Sequence, residues 1–165
     1  MIASGDYLVR GTERGWTLSQ DDGVIASYEV HYRARVIRCH IPDEGTWWFL
    51  MSRGTRLAAR PDSGLDVAAR YDPRFRGGVI TAGAAAYRLR PPGLRGESWH
   101  VTNGARSRRL RACLIEMTLG RGDGLVRVMP EAAARADLSL LATLALAAAV
   151  LERSEPRIRT ERWSP

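Results

Sequence analysis

Arginine is the residue type through which this chain could most readily do chemistry. Its guanidinium is a planar fork of donors that grips carboxylates and phosphates in pairs of hydrogen bonds. Arg106, Arg108, Arg109 and Arg111 crowd one short stretch, with Arg88 and Arg90 upstream of it. Arg157 and Arg159 stand in a C-terminal tail beside Trp163. Lysine is absent and the formal charge is +7. Such a charge favours acidic partners, whether phospholipid head groups, an acidic protein or nucleic acid. Exclusive arginine also follows from GC-rich codon usage, so composition does not decide whether it is functional or genomic. If the stretch is a strand, Arg109 and Arg111 share one face and Arg106 and Arg108 the other. They need not form one patch.

Other chemistries find little support. There is no Gly-x-Ser-x-Gly nucleophile turn, and a phosphate loop needing lysine is impossible. His31, His40 and His100 are scattered, and the neighbours Cys39 and His40 would point to opposite faces of a strand. A metal site needs three or four convergent ligands, which this spacing does not offer. Two cysteines, Cys39 and Cys113, are too few for a disulfide framework and fit small buried hydrophobes. The carboxylate pairs Asp21/Asp22 and Asp43/Glu44 fall in turns, as does Gly120–Gly124. The expectation is a non-catalytic protein without cofactor or metal.

The element that must organise these residues runs from Asp137 to Glu152, apolar on every side of a helical wheel except for Ser139 and Thr143. A helix apolar all round has to be enclosed. A membrane span needs roughly 20 apolar residues, whereas Leu138–Leu151 would reach about 21 Å at 1.5 Å per residue. Enclosure in protein is therefore expected. The helix starts either at Asp137, a plausible N-cap, or at Pro130, with Glu131 and Arg135 paired one turn apart. Pro156 ends it.

Nearly everything before that helix alternates as short strands. Tyr7–Arg10 and Trp16–Gln20 are strand candidates, and Asp21-Asp22-Gly23 turns the chain, with glycine at positive φ. Val24, Ala26, Tyr28, Val30 and Tyr32 form one face of the next strand. Arg35–Ile41 and Thr46–Met51 follow, and Trp47 and Trp48 should point to opposite faces. Arg53-Gly54 leads into Thr55–Arg60. Leu65, Val67, Ala69 and Tyr71 then share a face, and 72–78 reads as a loop. Val79–Ala82 and Ala85–Arg90 are either two strands or one bulged strand. Ser98–Thr102 meets Asn103-Gly104, a strong hairpin signal, with a partner over about 106–119 and a last strand at Leu125–Met129.

That makes about twelve strands with turns every 8–12 residues, as in an antiparallel barrel. Eight strands leave room only for side chains, but eleven already enclose a helix. The fold expected is mainly β, one domain over 1–165. An antiparallel closed barrel (strands about 7–129) surrounds a buried hydrophobic C-terminal helix (about 137–152), followed by a basic tail at 153–165.

This order of elements, ending in Asp137-Leu-Ser-Leu-Leu-Ala-Thr-Leu-Ala-Leu-Ala-Ala-Ala-Val-Leu-Glu152, resembles the tubby C-terminal-like superfamily. That group joins tubby proteins, phospholipid scramblases and LURP-one-related proteins. The resemblance implies twelve strands around a hydrophobic C-terminal helix. A lumen filled by its own helix leaves the outer face for recognition. The functional expectation is thus a binding module for anionic phospholipid head groups or an acidic partner at a membrane surface. Its candidate contacts are Arg106, Arg108, Arg109, Arg111, Arg88, Arg90, Arg157 and Arg159. Nucleic acid is the weaker alternative, because the aromatics lie inside strand patterns rather than interleaved with arginine. A small-molecule barrel or enzyme would require an open lumen. Without a leader-like segment or transmembrane span, the expected location is cytoplasmic, peripheral at the membrane. The sequence leaves the oligomeric state open.

Overall fold

Alternation of apolar and polar residues gives the chain its strands, and the computed structural model describes residues 1–75, 77–93, 96–104 and 111–154. The first six strands are β1 (Gly5–Gly11), β2 (Gly15–Gln20), β3 (Gly23–His31), β4 (Val36–Ile41), β5 (Gly45–Met51) and β6 (Leu57–Pro61). The next six are β7 (Ala69–Arg74), β8 (Gly77–Ala82), β9 (Ala85–Arg90), β10 (Ser98–Asn103), β11 (Cys113–Leu119) and β12 (Asp123–Val128). Each pairs antiparallel with its sequence neighbours, and β1 pairs with β12 to close the barrel.

Helix α1 (Leu138–Ser154) fills the lumen, and every residue from Leu138 to Ala149 is buried. Alanine-rich turns keep this cylinder thin enough for large side chains to reach it from the wall. Three tyrosines do so along its length. Tyr87 donates its hydroxyl to Asp137 Oδ2 at 2.7 Å before the first turn, and Tyr28 donates to the Thr143 carbonyl at 3.3 Å in the middle. Tyr71 donates to Glu152 Oε1 at 2.9 Å near the end, joined there by the Thr55 hydroxyl. The remaining polar groups of the helix are also satisfied. Ser139 donates to Glu44 Oε1 at 2.6 Å, and Thr143 donates to the Ser139 carbonyl at 2.7 Å.

The structure chooses between the alternatives left open, taking the helix start that follows Asp137 and the two-strand reading of 79–90, and it moves several other boundaries. The helix starts at Leu138; Pro130–Ala132 is a separate 3-10 turn, and Arg135 lies over the Tyr87 ring at 5.1 Å. Positive φ falls on Asp21 (48°) and Asp22 (64°), not on Gly23. Short polar side chains tolerate that conformation, which the two-residue hairpin turn requires. Val79–Ala82 and Ala85–Arg90 are two strands, turned at Gly83 with φ 55°. Strand β7 begins at Ala69 and continues through Asp72-Pro73-Arg74, where a loop was expected, while Leu65 is 85% exposed. The β6–β7 ladder stops at Leu57↔Tyr71, so Pro73 sits where β7 pairs only with β8, a position that tolerates a missing N–H. Asn103-Gly104 is not a two-residue hairpin turn, because β11 starts at Cys113. The Asn103 side chain instead accepts the Ala112 N–H at 3.1 Å. Trp47 and Trp48 are both half-buried; Trp47 packs on the core, and Trp48 Nε1 donates to Asp62 at 2.8 Å.

Cys39 lies fully buried against the helix, and desolvation pushes its thiol up to about 12. A folded value above the ordinary one means that the neutral thiol's contribution is complete below about pH 8.5 and is lost as pH rises toward 12. Desolvation raises the buried Tyr28 hydroxyl in the same direction. Unfolding free energy is therefore expected to fall between pH 9 and 11, and less steeply in Cys39→Ala. Identical slopes of unfolding free energy against pH, obtained from urea titrations of the two proteins, would contradict this.

Candidate anion-binding groove and the two rims

The outward faces of β7, β8 and β9 build a concave surface. Asp72 pairs with Val79 and Val79 with Arg88, while Arg74 pairs with Gly77. Gly77 has φ 90°, and a Cβ there would meet the Leu89 carbonyl oxygen at 2.1 Å, so only glycine fits. Arg74 and Arg90 consequently flank a position with no side chain, about 10 Å apart across β8 at the usual strand spacing. The groove measures about 1030 Å³ and is lined by Arg74, Arg88, Arg90, Val79 and the Pro91–Gly93 segment. The nearby carboxylate of Asp72 is already engaged by Arg56 Nε at 2.7 Å. Three guanidinium groups over a floor of glycine and valine suit phosphate or carboxylate oxygens held by paired, charge-assisted hydrogen bonds.

Of the arginines singled out in the sequence, Arg88 and Arg90 meet in this groove. Arg111 lies at the opposite end of the barrel, just before β11, and is separated from them. Arg106, Arg108, Arg109, Arg157 and Arg159 lie outside the described residues. Arg74 was missed because Pro73 and Gly77-Gly78 made its segment read as a loop.

Among the described residues, the barrel ends differ in charge. The connections after β1, β3, β5, β7, β9 and β11 surround the C-terminal end of α1, where Arg153 donates to the carbonyls of Leu119, at 2.5 Å, and Gly120. Among their described residues stand Arg14, Arg33, Arg35, Arg53, Arg56 and Arg121, against the carboxylates Glu13 and Glu97. The other rim surrounds the N-terminal end of α1. Its described connections carry Asp21, Asp22, Asp43, Glu44, Asp62, Asp66, Glu131 and Asp137, against Arg111 and Arg135. A second depression of about 370 Å³ opens on the basic rim between Trp16, Gly120–Asp123 and Arg153.

Among the described residues, no three His, Cys, Asp or Glu side chains converge on a metal position. His40 shares a hydrogen bond with Thr46 at 3.1 Å, and His31 and His100 lie 3.6 Å from Glu29 and Glu116. Asp6 on β1 and Arg127 on β12 form a surface pair at 2.8 Å that lowers the carboxyl and raises the guanidinium. No described helix is long and apolar enough to cross a membrane. The outer wall also carries charge at Arg38, Arg70, Arg88 and Arg127, where a membrane-spanning barrel presents an apolar band.

No family model, curated protein or solved structure matches the chain.

Proposed function

We propose that this barrel is a non-catalytic binding module that recognises anionic groups, foremost phospholipid head groups at a membrane surface, through its outer arginines. One observation carries the reading. The lumen is occupied by α1, so a ligand must be met outside, and an outer groove of about 1030 Å³ is lined by Arg74, Arg88 and Arg90. The open-lumen carrier or enzyme loses its premise for the same reason. A peripheral, cytoplasmic placement and kinship with tubby-like barrels accord with this reading and belong to the proposal.

Each arginine near an anionic surface contributes about 1 kcal/mol at low salt. Removing two of them should therefore weaken binding by about tenfold to thirtyfold. Co-sedimentation with phosphatidylcholine vesicles containing phosphoinositide should show binding by the native protein, lost in Arg88→Ala/Arg90→Ala and reduced by raised salt. Equal recovery with neutral and anionic vesicles would remove the proposal.

A further inference from the structure

The arrangement of charge and aromatics points to an orientation: we propose that the barrel docks end-on, with its basic rim against an anionic bilayer and its acidic rim facing away. This rests on the lipid-binding reading above and specifies which surface performs it. The groove by itself would equally hold a head group with the barrel lying on its side. Three observations favour the end.

First, arginines are distributed around the whole basic rim rather than gathered at the groove. Arg33, between β3 and β4, lies across the barrel mouth from Arg90, since the barrel order places five strands on either path between β3 and β9. A plane touching the rim meets both; a lateral site meets only one. Second, two large aromatic side chains stand out from the same rim, Phe75 at 98% and Tyr32 at 77% exposure. Each follows or precedes an arginine, Arg74 and Arg33. Aromatic tips flanked by cations suit the bilayer interface, where a ring enters the head-group layer and guanidinium groups remain at phosphate level. Third, the described residues of the opposite rim are mainly acidic, and an anionic surface would repel them. The occupant is therefore a planar anionic surface; a soluble polyanion would need neither the protruding rings nor a repelled far side.

Vesicles of phosphatidylcholine with phosphatidylserine test the orientation, using the full chain. Arg33→Glu, far from the groove, should weaken vesicle binding about tenfold or more, as should Phe75→Ala/Tyr32→Ala. Binding of soluble inositol hexakisphosphate, which the groove can satisfy, should stay within about twofold for both variants. The substituted residues are exposed, and unchanged circular dichroism confirms folding. If Arg88→Ala/Arg90→Ala abolishes vesicle binding while Arg33→Glu and the aromatic pair leave it unchanged, end-on docking is wrong and the lateral groove stands. If the native protein ignores anionic vesicles altogether, the lipid-binding reading has failed and the orientation fails with it.

Discussion

Leu144→Ala should lower the unfolding free energy by about 2–5 kcal/mol and the melting temperature by about 5–20 °C, while the outward Arg70→Ala changes stability by only about 0.5 kcal/mol. Leu144 is completely buried at the middle of α1, one residue after Thr143 and one before Ala145. In a helix so rich in alanine, the leucines fill most of the distance to the wall. Tyr28 comes from that wall to the neighbouring Thr143 carbonyl, where its hydroxyl is held and cannot simply swing into the vacated space. A closed, hydrogen-bonded barrel also resists collapse, so most of the deleted volume should persist as a cavity. Denaturant titrations with unchanged slope would measure the loss. A cost below about 1 kcal/mol would mean that α1 is not enclosed by the sheet.

How much of this was legible follows from the range over which each signal acts. The helix declared itself because seventeen contiguous residues hold its whole character. The inward face of β3, with Ala26 and Tyr28, declared itself through the period of two. Boundaries failed where local punctuation competed with pairing. Pro73 suggested a break, yet β8 supplied a ladder that the proline could join from its unpaired side. Leu65 and Val67 continued the alternation of Ala69 and Tyr71, but β7 begins only at Ala69. The groove and rims were hidden for another reason. Reading along the chain finds runs such as 106–111, whereas Arg74 and Arg90 come together only through an intervening strand. Arg14, Arg33, Arg53 and Arg121 share a rim only because the meander returns every second turn to the same end. A ring of charges scattered over 108 positions has no local signature.

Gly78→Ala tests the coupling between that groove and the core, and its effect should rival the helix cavity. Gly78 belongs to the groove lining, but its missing Cβ points inward, where an added carbon would lie 2.2 Å from Tyr71 Cε2 and 2.6 Å from the Tyr71 hydroxyl oxygen. Tyr71 is fully buried and its hydroxyl is bonded to Glu152, so the ring has little room to move. Overpacking of this kind costs about 1–3 kcal/mol. Loss of a hydrogen bond to a charged acceptor adds about 1.5–3 kcal/mol if the ring is displaced. The sum, about 2.5–6 kcal/mol, should appear in urea unfolding, whereas Val79→Ala, on the outward side, should cost about 1 kcal/mol or less. The clash belongs to one pair, so Tyr71→Leu, which removes the ring, should absorb most of the Gly78→Ala penalty. A double-mutant cycle should then give a coupling of about 1–3 kcal/mol. Additive effects would place the cost of Gly78→Ala in the backbone of β8 instead, and Tyr71 would no longer connect the groove floor to the end of the central helix.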